Sequence, residues 1–197
     1  MIILLVASYF LGSIPFGFLV VHLVKKVDIR KVGSGNIGAT NVYRVLGKKW
    51  AIAVFVLDFL KGFIALFIAS SIDGLPNYMY ILTAVCVVCG HNWTIFLNFK
   101  GGKGVATSVG AIVGLSLVFP VLFVALFLSL TVWIILFSIL KYVSIASLAA
   151  ALCFFLFSLF FVSVWEIKVF AFALFVFIVA RHKENIKNLI AKRELRF

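Results

Sequence analysis

"PVLFVALFLSLTVWIILFSIL", residues 120–140, contains no charged side chain, and its only hydroxyl residues are Ser129, Thr131 and Ser138. A helix rises about 1.5 Å per residue, and about 20 apolar residues cross the hydrocarbon core of a bilayer. This stretch therefore has the length and composition of a membrane span. The same pattern recurs outward from it. Apolar runs bounded by charge, Gly or Pro place spans at about 2–24, 50–71, 77–97, 104–119, 120–140, 143–162 and 165–180. The expected fold class is an all-α polytopic membrane protein with seven transmembrane helices, built as one domain over residues 1–197, with the fourth and seventh spans short. The chain is 65% apolar and 12% charged, against roughly half apolar for a soluble domain, which excludes a soluble globular reading. Residues 1–24 carry neither a basic n-region nor an A-x-A-like site, so the first span reads as retained rather than cleaved.

Lysine and arginine set the orientation. Of 18 such residues, 16 lie in the loop 25–49, the segment 98–103, position 141 and the tail from Arg181 onward, which fall on one side of a seven-span chain. By the positive-inside rule that side is cytoplasmic, with the N-terminus outside and the C-terminus inside. The net charge of +12 then reflects topology and attraction to anionic lipid or substrate, and nucleic acid is not an expected partner.

The polar residues concentrate on that same side. "RKVGSGNIGATNVYR", residues 30–44, gathers Gly33, Gly35 and Gly38 with Ser34, Asn36, Thr40 and Asn41 between cations. Gly33 to Gly38 matches G-x-G-x-x-G, but that fingerprint needs a preceding strand and a βαβ unit, and an apolar span precedes it here. The transferable physics is that glycines expose backbone N–H groups, and a following helix N-terminus attracts an anion. A second such element, "KGGKGVAT" at 100–107, places Gly101, Gly102 and Lys103 at a helix start. It is no Walker loop, because position 97 is Leu. Two such elements on one face suggest two phosphate groups. Ser144 and Ser147 share a face at the start of the sixth span, and His182 and Asn185 share one in the tail, at spacing i, i+3.

Asp58 and Lys61, also i, i+3, lie within the second span, where charge is costly unless paired; they read as a structural pair that orients the site. His22, His91 and His182 are scattered without a carboxylate cluster, so no metal site is expected. Cys86 and Cys89 sit in an apolar run and read as packing residues. No cofactor is indicated.

At these residues the chain resembles the bacterial membrane acyl-phosphate:glycerol-3-phosphate acyltransferases. The resemblance rests on "GSIPFG", "VGSGNIGATNVYR", "DFLKG", "GHNWTIFLNFKGGKGVAT", "YVSIASL" and "RHKENIKNL", which together run from residue 12 to 189. It implies a multi-pass enzyme of the bacterial inner membrane with a cytoplasmic active site. The implied reaction transfers a long-chain acyl group from acyl phosphate to the sn-1 hydroxyl of glycerol 3-phosphate, giving lysophosphatidic acid and phosphate.

The implied catalytic residues are Ser34, Asn36, Lys103, Ser144 and His182. Gly33, Gly35, Gly38, Thr40, Asn41, Arg44, Gly101, Gly102, Ser147 and Asn185 would bind substrate. The acyl-phosphate headgroup would rest on Ser34, Gly35, Asn36 and Thr40, and glycerol 3-phosphate against Arg44, Lys103, Ser144, His182 and Asn185. Membrane lipid would surround an acyl-chain groove. Composition and topology alone also fit a small transporter of a phosphorylated metabolite. Transporters tend to show repeated halves with broken helices near the midplane, whereas here no repeat stands out and the polar motifs cluster at one face.

Overall fold

The computed structural model describes residues 1–197, and its regular secondary structure is all helical, with no strand. Its helices are α1 (Ile2–Ser13), α2 (Phe16–Lys25), α3 (Ala39–Leu46), α4 (Lys48–Ser70), α5 (Asn77–Asn92), α6 (Val105–Leu115), α7 (Val121–Leu140), α8 (Val143–Phe161), α9 (Trp165–Arg181) and α10 (Lys183–Ile190). Five segments are long and apolar enough to cross a bilayer: Ile2–Lys25, Lys48–Ser70, Asn77–Leu97, Val121–Leu140 and Val143–Phe161. α6 has 11 residues and α9 has 17.

Two local departures from the expected spans have clear causes. The first apolar run is two helices, interrupted at Ile14–Pro15. Pro15 has no N–H to continue the ladder, and it holds Ile14 extended, at φ −59° and ψ 114°. The fourth run stops being helical at Leu115, and residues 116–118 form a turn before Pro120.

An interrupted helix inside a membrane must find partners for its freed carbonyls. Here a side chain from the loop after α5 and one from α4 supply them. The Thr94 hydroxyl donates to Ser13 O, and Lys61 Nζ donates to Ile14 O at 3.0 Å. Lys61 also pairs with Asp58 at 2.8 Å, both side chains being buried.

Glycine sets the closest helix contacts. A Cβ on Gly12 of α1 would lie 2.0 Å from Val87 O, and one on Gly90 of α5 2.2 Å from Tyr9 O. A Cβ on Gly62 of α4 would lie 2.1 Å from Thr107 O, and one on Gly110 of α6 1.9 Å from Phe59 O. Backbones brought this close pack by van der Waals contact, the main attraction between helices in lipid. They lock α1 to α5 and α4 to α6. α7 packs on α8, and α8 on α9. Between the α4–α6 pair and the α7–α8 pair lies the cavity described below.

Lys61→Met is expected to strip Asp58 of its partner and cost about 3–5 kcal/mol, as breaking a buried pair does. Asp58→Asn with Lys61→Met should recover much of that loss. Thermal unfolding of the purified variants measures both; equal losses for the single and the double variant would contradict a pairwise role.

Candidate functional site

The cavity has a volume of about 920 Å³ and is amphipathic along its length. Its deep limb is apolar, walled by Phe55 and Phe59 of α4, Ile112 of α6, Leu126, Leu130, Trp133, Ile134 and Phe137 of α7, and Ala150, Ala151 and Phe154 of α8. Those α7 positions recur every three or four residues, which is one helix face. Ile52, Phe55, Leu130 and Ile134 line the cavity and are also exposed, so this limb opens sideways between α4 and α7.

The other end is polar. It collects Ser34, Asn36, Gly38, Thr40, Asn41, Arg44, Lys103, Ser144, Ser147, His182 and Asn185 on one wall system, together with Lys48 and Glu194. Four helix starts reach this end: α3 after Gly38, α6 after Gly104, α8 after Tyr142 and α10 after His182. None of them has a side-chain cap. Uncapped first-turn amides and the positive ends of helix dipoles favour an anion.

The first glycine loop is stapled by Asn41, which is almost fully buried. Its Oδ1 accepts from Ser34 N at 2.8 Å, and its Nδ2 donates to Val32 O at 3.0 Å and Asn36 O at 2.9 Å. Gly33 has φ +60°, and a Cβ there would strike Asn41 Oδ1. Beneath the loop, Val21, Ile29, Ile37, Val42, Val54 and Leu97 form a small apolar core that seats it. Gly33 and Gly35 thus shape the loop from behind, while Ser34, Asn36, Gly38 and Thr40 line the cavity.

The second loop is clamped from two sides. Gly101 N donates to Asn92 O at 3.2 Å and Gly102 N to His91 O at 3.0 Å. The Arg181 guanidinium donates to Gly102 O at 2.8 Å and Gly101 O at 2.7 Å. A Cβ on Gly102 would lie 2.1 Å from His91 Nε2, so this turn admits no side chain. Gly101 and Gly102 do not line the cavity; their turn delivers Lys103, which does.

Burial pushes the Lys103 ammonium down to about 8, with the Arg44 and Arg181 charges acting the same way and Glu194 opposing them. Burial, and then the Lys103 charge, bring His182 to about 4, so its imidazole is neutral. Its Nδ1 lies 2.8 Å from Ile178 O, an acceptor only. Nδ1 therefore carries the proton and donates, which leaves Nε2 as an acceptor. Ser144 Oγ donates to Glu194 Oε1 at 3.0 Å, and Asn185 Nδ2 to the same oxygen at 2.6 Å. Ser147 Oγ accepts from Trp133 Nε1 at 3.2 Å.

A shared anion-binding end joined to a lipid-facing apolar limb is the geometry that a phosphate-bearing, acyl-bearing substrate pair needs. The family model for glycerol-3-phosphate acyltransferase matches residues 2–192. The chain belongs to the glycerol-3-phosphate acyltransferase family. A relative of that name from Aquifex aeolicus is 46% identical over 196 residues, covering 98% of this chain and 97% of its own. One from Thermoanaerobacter pseudethanolicus is 41% identical over 190 residues, covering 96% and 91%. The crystal structure of PlsY (YgiH), an integral membrane glycerol 3-phosphate acyltransferase, in its glycerol 3-phosphate form, matches with a TM-score of 0.91 and 42% identity, covering 100% of this chain and 94% of that one. Its lysophosphatidic acid form matches with a TM-score of 0.87 and 40% identity over the same shares.

Within this family member, sequence reasoning gave no role to Arg181, Glu194 or Lys48. Arg181 was visible only as the residue before His182. Glu194 had one signal, a lone acid among Lys192, Arg193 and Arg196.

Lys103→Ala is expected to lower kcat/KM by about 1.5–3 kcal/mol of lost charge-assisted hydrogen bonding, roughly ten- to a hundredfold. The wild-type ammonium is charged below about 8 and neutral above it. Its kcat/KM should therefore fall as pH rises through that value, and Lys103→Arg should move the fall to higher pH. A pH profile of the three proteins checks this; an alkaline limb that persists in Lys103→Ala would contradict the assignment.

Proposed function

We propose that the protein catalyses acyl transfer from a long-chain acyl phosphate to the sn-1 hydroxyl of glycerol 3-phosphate, releasing lysophosphatidic acid and inorganic phosphate. The observation that carries this reading is the cavity itself: one anion-binding end fed by four uncapped helix starts, continuous with an apolar limb open to lipid. The family relatives support it through the substrate and product forms of PlsY.

The acyl-phosphate headgroup lies against Ser34, Asn36 and Thr40 at the start of α3, with Gly35 shaping the loop behind them. Its chain runs down the limb between α4 and α7. Glycerol 3-phosphate lies against Arg44, Lys103, Ser144, His182 and Asn185. Arg44 supplies a planar fork of donors and Lys103 a compact charge. The hydroxyl oxygen attacks the carbonyl carbon, the bond from that carbon to the bridging oxygen breaks, and phosphate leaves with the electron pair.

Burial and the Lys103 charge hold His182 neutral and weaken it as a base. A phosphate oxygen of the substrate pair takes the proton, while His182 Nε2 orients the hydroxyl. Because acyl phosphate is a mixed anhydride, positioning and cationic donors around the leaving phosphate supply most of the acceleration. The chain crosses the bacterial inner membrane seven times, with α1 and α2 as one broken crossing, the N-terminus outside and this site on the cytoplasmic face. The distribution of lysine and arginine supports that orientation.

One pure preparation should turn over palmitoyl phosphate and leave matched palmitoyl-CoA untouched, with EDTA making no difference. Comparable rates with the two donors, or abolition by EDTA, would sink the proposal.

A further inference from the structure

Attack on an acyl carbonyl pushes an electron pair onto the carbonyl oxygen, and that oxygen needs a donor of its own. The position of the carbonyl follows from the shape of the cavity. An acyl phosphate has its phosphate in the polar end and its chain in the apolar limb, which puts the carbonyl where one gives way to the other. Along α6 the cavity wall changes from Ser108 to Val109 and Ile112, and along α8 from Ser147 to Ala150 and Phe154. Ser108 lies in the first turn of α6, four residues or about 6 Å below the Gly104 N-cap.

Ser108 is also set apart by its hydrogen bonding. A helical serine or threonine can return its hydroxyl to the carbonyl four residues earlier, and Ser8, Thr83 and Ser129 do so at 2.7 or 2.8 Å. Three buried hydroxyls have no hydrogen-bond partner: Ser13, Ser108 and Ser158. Of the three, Ser108 alone lines the cavity. Other polar side chains on the cavity wall beyond the glycine loops are engaged. Asp58 pairs with Lys61 at 2.8 Å, Ser129 donates to Ala125 O, and Ser147 accepts from Trp133 Nε1.

A buried hydroxyl without a partner costs the desolvation of that group. A ligand that brings the missing acceptor recovers the loss, and a carbonyl oxygen is an acceptor only, the complement of an O–H donor. The α6 N-terminus, uncapped by any side chain, adds the positive end of a helix dipole to the same place.

We propose that Ser108 is a catalytic residue that donates its hydroxyl to the carbonyl oxygen of the acyl donor. The inference rests on the acyl-phosphate reading above and assigns the one developing charge that the phosphate ligands do not meet. As the glycerol oxygen bonds to the carbonyl carbon, the C=O π pair moves onto oxygen, and the hydrogen bond from Ser108 strengthens. The pair returns when the bond to the bridging oxygen breaks; phosphate leaves with that bond's electrons, and the glycerol proton passes to a phosphate oxygen. Ser108 keeps its own proton throughout. A fixed donor whose bond is stronger in the transition state than in the bound substrate acts on kcat.

The test compares two full-length variants that each lose a buried, unpartnered hydroxyl. Ser108→Ala should lower kcat about a hundredfold and leave KM for glycerol 3-phosphate unchanged, whereas Ser158→Ala, away from the cavity, should turn over as wild type. Neither should lose thermal stability, because neither hydroxyl has a bond to lose. Infrared difference spectra of a bound, non-transferable acyl phosphonate with an isotope-labelled carbonyl give a readout independent of turnover. The carbonyl stretch should lie lower in the wild-type complex than in Ser108→Ala.

A kcat for Ser108→Ala within about threefold of wild type, or the same carbonyl frequency in both complexes, would overturn the proposal. So would a loss of thermal stability confined to Ser108→Ala, which would reveal a structural partner for the hydroxyl. If wild type itself fails to turn over acyl phosphate with glycerol 3-phosphate, the reading of the reaction falls and takes this inference with it. Wild-type turnover with an unimpaired Ser108→Ala removes this inference alone.

Discussion

The Lys61–Asp58 pair is the interaction on which the rest of this structure turns. Two buried charges in a membrane span are tolerated only when each has a partner within the bundle, and these two are neighbours on one face of α4. Lys61 reaches Ile14 O at the break between α1 and α2 and lies 5.7 Å from the centre of the Phe16 ring. Asp58 lies 3.5 Å from His91 Nδ1, and Thr107 Oγ1 lies 3.2 Å from the same nitrogen. One ion pair therefore ties together the broken first segment, α4, the end of α5 and the first turns of α6. Each of those elements either borders the cavity or carries a loop that does.

The consequence at the site is rigidity in its glycine turns. Gly101 and Gly102 follow the backbone carbonyls of Asn92 and His91 and are gripped on their other side by Arg181, which also lies 5.9 Å from the centre of the Trp93 ring. The N–H and C=O groups of Gly101 and Gly102 are spent on the scaffold, and Lys103 and Gly104 are the residues of that turn that line the cavity. The first loop is built the same way, with Asn41 spending its amide on the loop backbone so that Ser34, Asn36 and Thr40 face inward. Donors held this way lose little freedom when an anion arrives, which is the condition for electrostatic stabilisation without reorganisation.

How much of this was legible in the sequence depends on the range of the interaction. Membrane class followed from apolar runs such as 120–140, because the bilayer imposes length and composition locally. The two glycine loops were legible for a related reason: clustered Gly, Ser and Asn beside cations are unusual in so apolar a chain. The break at Pro15 was concealed by the absence of any Lys, Arg, Asp or Glu from Ile2 to Val24, and the early end of α6 by the apolar run Leu117–Phe119. Three contacts left no local signature. Arg181 reaches glycines about 80 positions away, Glu194 reaches Ser144 across 50, and Lys61 reaches Ile14 across 47. Asn41 and the glycines at 33, 35, 101 and 102 illustrate a related limit. Their residue types pointed to phosphate loops, but spacing does not separate the groups that line a loop from those that brace it.

The central claim is that one polar cavity end holds two phosphate-bearing substrates together, so that transfer is direct. Calorimetric titration of glycerol 3-phosphate into protein saturated with a non-transferable acyl phosphonate addresses it most directly. The account predicts a ternary complex, with glycerol 3-phosphate binding at one site per chain and with an affinity close to that for the phosphonate-free protein. Mutually exclusive binding, in which the phosphonate abolishes the glycerol 3-phosphate isotherm, would contradict it.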